Sequence, residues 1–491
     1  KIQIAGSSAN ESGGGIYVHE NFTNSEGKID IAMSSAEESG GGIYVQESFT
    51  NSRGKIDIAG SSSSESGGGI YVRQSFTNSR GKIQISGSSA NEVGGGIYVR
   101  QSFTNSRGKI QIAGSSANES GGGIYVRNNF NHSGGSISIT NSFARKYGGG
   151  LYVGYDAVFA NAMASFSQCR AQREGGGILT RGDVNLTNVW LKFKSATAGG
   201  RGAAVSASHL NQTGGDMTVY NSSASGEVIA VTSWRIDGGA FQLHHCKADA
   251  FLITATAGAT LDASKFVVSN ASAAGMLVSS GEVTMSTGVF NQTSSPQLRA
   301  KVVKVTHLNV TGSEASISWS SEISANESTV HDMDCDDSFG GYNRSDGVGC
   351  TKCDPGSVFV KNILEKTIAN RSAVQHCVPC PDGARICNAT DIEMQLGMMI
   401  EQKNISRAWR CPNSLACKGG NVSSNASSKM CAEGYGGVGC AECTNNHARS
   451  NSNVFICLKC ADDIWGRVKD YVLFLASDAV IFIISAAGVV T

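Results

Sequence analysis

Leucine and proline are scarce in this chain. Its 491 residues include 17 leucines, none before position 151, and five prolines. A leucine-rich repeat or a helical solenoid therefore has no material to build from. Charged residues make up 16%, against about 25% in an ordinary globular domain. Forty basic and forty acidic residues cancel, which argues against a nucleic-acid partner, because such partners select a basic footprint. No cofactor motif occurs, and no cofactor is expected. The chain is rich instead in glycine, with 61 residues, and in serine plus threonine, close to a fifth of the total. That balance points to many short strands with tight turns. Lys1 falls inside a repeat and Thr491 inside an apolar run, so the sequence reads as part of a longer protein.

The first half repeats with a period of 27. Lys1, Lys28, Lys55, Lys82 and Lys109 share one phase, and Tyr17, Tyr44, Tyr71, Tyr98, Tyr125 and Tyr152 another. The phase outlives the identity, with GGGLYV at Gly148, GGGILT at Gly175 and GAAVSA at Gly202. A fixed short period marks a solenoid. Within a unit, Ile83 and Ile85 flank Gln84, and Ile97 and Val99 flank Tyr98. The alternation sends Ile and Val to one face and Gln or Tyr to the other. Phe103 adds a third apolar point, followed by an expected turn over Thr104–Gly108, and Gly94–Gly96 permits a sharp corner. A unit of β-branched strands without a helix, stacked on its copies, is one coil of a parallel β-helix rising about 4.8 Å per coil. Regular coils are expected over 1–216 and irregular ones over 217–330, where short runs such as Val228–Val231 and Phe266–Val268 continue the pattern.

Stacking predicts internal ladders of Ile2, Ile29, Ile56, Ile83, Ile110 and Ile137, and of Phe22, Phe49, Phe76, Phe103 and Phe130. It also predicts an amide ladder of Asn24, Asn51, Asn78 and Asn105, as in cross-β stacks. Core needs fix Ile, Val, Phe and Gly, yet coils 28–127 also repeat the solvent-side Tyr44, Tyr71, Tyr98 and Tyr125, with Arg73, Arg100 and Arg127 in three of them. These seven residues are the candidate binding face. They suit glycan or protein surface ligands through stacking and hydrogen bonds, with avidity from repetition on a rod.

GGGIYV and GGGLYV followed by SFTNS resemble the GGA-I repeats of chlamydial polymorphic outer-membrane proteins. They also resemble pectate-lyase-like right-handed β-helix proteins of algae, dinoflagellates and other protists. The likeness implies a right-handed parallel β-helix on a cell surface.

Cysteine usage changes sharply along the chain. Cys169 and Cys246 are alone in the solenoid, and thirteen others follow: Cys335, Cys350, Cys353, Cys377, Cys380, Cys387, Cys411, Cys417, Cys431, Cys440, Cys443, Cys457 and Cys460. Four C-x-x-C pairs suit zinc or a disulfide framework. Sequons weigh for disulfides. Between 161 and 430, thirteen of 17 asparagines begin N-x-S/T: Asn185, Asn211, Asn221, Asn270, Asn291, Asn309, Asn326, Asn343, Asn370, Asn388, Asn404, Asn421 and Asn425. That excess indicates glycosylation on the secretory route, an oxidising compartment. Thirteen is odd, so one cysteine is left over or pairs elsewhere. The run CAEGYGGVGCAEC, Cys431 to Cys443, resembles EGF-like and ephrin-receptor-like modules, and the resemblance implies a Cys-rich stalk over 331–462.

The segment 463–491 reads as the start of a membrane region. Tyr471–Thr491 is long and apolar enough to span as a helix, Trp465 and Tyr471 suit an interface belt, and Asp478 asks for a neighbouring helix. Catalysis has weaker support. A glycosidase-type site needs a singular pair of acids, whereas Asp30 and Asp57 share a phase with Gln3, Gln84 and Gln111. Asp332, Asp334 and Asp336 resemble the start of a Ca²⁺ loop, but Asp337 and Asn343 stand where Gly and Glu belong, and an acidic linker is the plainer reading. His244-His245-Cys246 and Arg181-Gly182-Asp183 are short matches of low specificity.

The expectation is an all-β protein: a parallel β-helix over 1–330, a disulfide-rich module and a membrane helix. It would be a non-catalytic, membrane-anchored structural or adhesive surface protein with an extracellular-facing ectodomain. A carbohydrate-active β-helix enzyme and a receptor-like multi-pass protein are the alternatives.

Overall fold

The computed structural model describes residues 1–293, 298–312, 316–325, 333–335, 339–344, 347–359, 377–388, 392–401, 404–422, 430–460 and 464–487. The chain divides into two compact units, Lys1–Asp336 with Tyr342–Cys350, and Asp337–Gly341 with Thr351–Thr491.

The first unit is a right-handed parallel β-solenoid. One regular coil contributes the strands Lys109–Ala113, Ser116–Ala117, Ile124–Val126 and Phe130–Ser133. Each strand pairs in parallel with its own copy one period along the chain, as in Ile83 with Ile110, Tyr71 with Tyr98 and Phe76 with Phe103. The interior is built as ladders. Ile83, Ile85, Ile97, Val99 and Phe103 are buried with their copies above and below. The rings of Phe49, Phe76 and Phe103 stack at 4.8 and 4.7 Å between centroids.

Thr104–Ser106 departs from the expected turn and belongs to the strand Phe103–Ser106. Phe103 and Asn105 both point inward and are fully buried, so the backbone alternates as a strand does. Pairing with the next coil also satisfies backbone groups that a turn would leave open. Only Arg107 and Gly108 turn. At the glycine corner the coils approach so closely that a Cβ on Gly95 would lie 2.1 Å from the Ser116 carbonyl oxygen of the next coil.

Past the regular coils the pairing continues but the circumference shrinks. Val184 still faces Leu210, close to a full period on. Ile229 then faces Ile253, Glu282 faces Val302 and Leu298 faces Ile317, each over a shorter stretch of chain than the last. This shrinkage is what blurs the sequence period. One inner column stays narrow throughout: Ser88, Ser115 and Ser142 are succeeded by Cys169, Ala196, Ser222 and Cys246, all buried. The two solenoid cysteines are thus small core residues. Burial pushes both thiols up to about 12.

The second unit holds short antiparallel pairs, among them Met398–Glu401 with Asn404–Arg410 and His447–Arg449 with Cys457–Lys459. They close over a small core of Val358, Ile392, Met394, Met399, Ala416 and Val422. A core this size is marginal without cross-links. Among the described residues four disulfides supply them: Cys380–Cys387, Cys411–Cys417, Cys431–Cys440 and Cys443–Cys457. A helix follows over Ile464–Ala487. Among the described residues no helix is long and apolar enough to cross a membrane, and residues 488–491 of the expected span lie outside them.

Candidate binding face

The tyrosine column is continuous over six coils. Tyr17, Tyr44, Tyr71, Tyr98, Tyr125 and Tyr152 stack with centroids 5.1, 4.9, 4.6, 5.3 and 4.7 Å apart. Adjacent ring planes differ by 4° to 12°. This arrangement revises the expected chemistry. Each ring face is covered by the next ring, so faces are not free to stack on a ligand along the column. The column presents a strip of ring edges and hydroxyls, with a half-exposed ring only at Tyr17. Burial, followed by the neighbouring tyrosines, raises the phenols of Tyr44, Tyr71, Tyr98 and Tyr125 above their usual value. They stay protonated, able both to donate and to accept.

Arg73, Arg100 and Arg127 directly follow the same strands and are exposed. Glu38, Glu65, Glu92 and Glu119 precede the glycine corner, so the tyrosines lie between an acidic and a basic column in chain order. The acids are tied into the coil wall, with the Ser39 hydroxyl donating to Glu65 at 3.1 Å and that of Ser66 to Glu92 at 3.4 Å. Glu119 pairs with Lys146, which takes the acid's phase one coil on.

A shallow concavity of about 420 Å³ lies at the Tyr152 end of the tyrosine column, lined among others by Arg100, Tyr125, Arg127, Tyr152 and Arg181. Arg181 donates through Nε to the Tyr152 hydroxyl at 2.8 Å. Arg181 was not part of the expected face, although it shares the phase of Arg127 and Gly154 and so belongs to the same column. The Arg181-Gly182-Asp183 tripeptide is thereby part of the coil wall. His244 and Cys246 diverge, His244 meeting the Ser269 hydroxyl at 2.6 Å while Cys246 points inward.

Of the sequon asparagines whose side chains are described, Asn221, Asn270, Asn291, Asn388 and Asn421 are exposed. Asn185 and Asn211 are half-buried neighbours, the Asn211 amide donating to Asn185 Oδ1 at 2.9 Å. Asn309, Asn343 and Asn404 lie on strands, and Asn326, Asn370 and Asn425 lie outside the described residues. So do Asp332 and Asp336; Asp334 sits in the strand Met333–Cys335 with Cys335.

Neither C-x-x-C motif at the end of the module closes on itself: Cys440 joins Cys431, and Cys443 joins Cys457. Cys353 is also disulfide-bonded. The sulfurs of Cys411, Cys417 and Cys440 lie within 4.8 Å of one another, but all three belong to disulfides, so two bridges pack there. Cys460 carries a free thiol, which departs from its expected pairing. The side chains of Cys350 and Cys377 are outside the described residues.

The fold and face together define a repeat solenoid followed by a disulfide-rich module. The chain matches no protein-family model, no curated protein and no solved structure.

Proposed function

We propose that this chain is the outward part of a membrane-anchored surface protein, non-catalytic, that engages glycan or protein ligands through the Tyr–Arg face. The solenoid would belong to the pectate-lyase-like right-handed β-helix class, and the module to the EGF-like or ephrin-receptor-like kind. One observation carries the reading: an unbroken solvent-side strip of phenol edges, flanked by Arg73, Arg100 and Arg127 at one coil per step. Identical weak hydrogen-bonding sites on a rigid frame gain by avidity, and phenol with guanidinium recognises hydroxyls and carboxylates without a pocket. The membrane part of the proposal draws on the helix Ile464–Ala487, where Trp465, Tyr471, Leu473, Leu475 and Val480 are all half exposed or more. Apolar surface of that kind needs a cover, and a bilayer supplies one.

The test uses the full chain on glycan and cell-surface protein arrays, with Arg73→Gln, Arg100→Gln and Arg127→Gln singly and together. Single changes should weaken binding modestly, and the triple change by roughly a hundredfold or more. Undiminished binding by the triple variant would make this face scaffold only.

A further inference from the structure

The corner after each Phe–Thr–Asn–Ser strand holds a second basic column. Arg53, Arg80 and Arg107 sit there at φ of 62°, 56° and 59°, a left-handed conformation that disfavours any residue with a Cβ. In the next three coils Gly134, Asn161 and Asn188 occupy the same corner at φ of 69°, 49° and 49°, the residue types that tolerate it. Arginine is therefore present against the local preference, the kind of outlier that points toward function.

The core holds the corner in shape. Arg80 N–H donates to the Ser106 carbonyl at 3.0 Å and Arg107 N–H to that of Ser133 at 2.9 Å. Inside, the Asn78 and Asn105 amides donate to the carbonyls of Gly81 and Gly108, each at 3.1 Å. The side chains of Arg80 and Arg107 are exposed. A Cβ on Gly134 would sit 3.1 Å from Arg107 Cγ, so this glycine makes room for the arginine stem.

The lysine two positions on shows a contrast between coils. Lys28 pairs with Asp30 at 2.9 Å and Lys55 with Asp57 at 2.6 Å. Where Gln84 and Gln111 replace those acids, Lys82 and Lys109 make no ion pair among the described residues. Arg53 pairs with Glu26 at 3.3 Å, whereas Arg80 and Arg107 have no acid partner among the described residues. Two adjacent coils thus carry four unneutralised cations, next to coils where the same positions are paired.

We propose that Arg80, Lys82, Arg107 and Lys109 form an anion site for a linear polysaccharide bearing sulfate or carboxylate groups, lying along the solenoid axis. Coils repeat about every 4.8 Å, and an extended pyranose chain advances by a comparable length per sugar, so successive anionic sugars meet successive coils. The guanidinium fork takes sulfate or carboxylate in bidentate fashion, and the lysines add point charges. Thr77 and Thr104, outward on the adjoining strands and half exposed, offer hydroxyls to the sugar. The site is independent of the Tyr–Arg face.

The experiment measures binding of the full chain to dextran sulfate, oligogalacturonate, neutral dextran and polyglutamate at two salt concentrations. One or both anionic polysaccharides should bind, more weakly at high salt, with dextran inert; whichever binds tighter identifies sulfate or carboxylate as the source of charge. Arg80→Asn with Arg107→Asn places at the corner a residue that Asn161 and Asn188 already accommodate, so the fold persists. Affinity should fall roughly tenfold or more. Gln84→Asp with Gln111→Asp keeps all four cations but restores the pairing seen at Asp57, and should weaken binding comparably. Absence of binding by the parent chain, affinity unmoved by both double variants, or polyglutamate binding as tightly as either polysaccharide would overturn the proposal.

Discussion

Nδ2 of Asn105 lies 3.0 Å from Nδ1 of His132. The contact ends a directional chain in which Asn24 donates to Asn51 at 3.0 Å, Asn51 to Asn78 at 2.9 Å and Asn78 to Asn105 at 2.7 Å. Because Asn105 Oδ1 is taken as acceptor, its nitrogen must donate, and Nδ1 of His132 must be bare. The ring proton then sits on Nε2 and donates to the Met163 carbonyl at 3.2 Å. In the next coil Phe159 takes this column and Ala157 the phenylalanine column; the bulk has moved from one column to the other and interrupts the amide chain, and a buried amide returns to the column at Gln212, past Leu186.

Protonation of His132 would set a second N–H against the Asn105 amide. Burial, partly offset by the Met163 and Asn105 carbonyls, holds its pKa below 6.5. The unfolded chain therefore takes up the proton first. This contribution to stability is complete above pH 6.5 and is lost as pH falls through the folded value. Urea midpoints measured downward from pH 6.5 should show that loss in the parent and a flatter limb in His132→Asn, which keeps an acceptor for Asn105. Equal acid limbs would place the titration elsewhere.

Asn78→Ala removes an acceptor from Asn51, a donor from Asn105 and the clamp on Gly81. The fully buried site should lose about 2–4 kcal/mol. Thr77→Ala, one position away and outward, should change stability by less than about 0.5 kcal/mol. Chemical denaturation of both variants checks the difference.

Two glycines of one coil should respond unlike each other. A Cβ on Gly87 meets nothing within 4 Å, though φ is +60°, so Gly87→Ala should cost about 1–2 kcal/mol from backbone strain alone. Gly95→Ala drives a methyl into the Ser116 carbonyl at 2.1 Å and should cost more than about 3 kcal/mol. Thermal melts would rank them, and equal shifts would mean that the coil wall yields.

Native alkylation at neutral pH should label Cys460 and spare Cys169 and Cys246, which are buried with thiols pushed up to about 12. Denaturant without reductant should expose both. Since their folded values are raised, their contribution to stability is full below the ordinary thiol range and is lost as pH rises toward 12. Native labelling of either would contradict the packed column.

The ladders were legible because a repeat turns a three-dimensional neighbour into a fixed offset along the chain. Tyr71 faces Tyr98 for the same reason that both share a phase. Disulfide connectivity was not legible, because sulfurs pair by proximity in the folded module, and Cys440 and Cys443 take partners on opposite sides in sequence. Arg181 was missed as a neighbour of Tyr152 because the repeat identity had faded before it.

The amino-acid sequence by itself determined the period of the coil, the inward Ile and Phe columns and the outward Tyr and Arg, since strand alternation and period leave no other placement. Tertiary structure alone decided what each column does. Whether tyrosine faces remain free depends on the rise between coils, and at 4.6 to 5.3 Å the rings cover one another. Whether Thr104–Ser106 turns or extends depends on what Asn105 finds inside, and it finds Asn78. The contraction of the coil, from Ile83 facing Ile110 to Leu298 facing Ile317, was likewise set by packing, because parallel pairing tolerates any circumference that keeps its core filled.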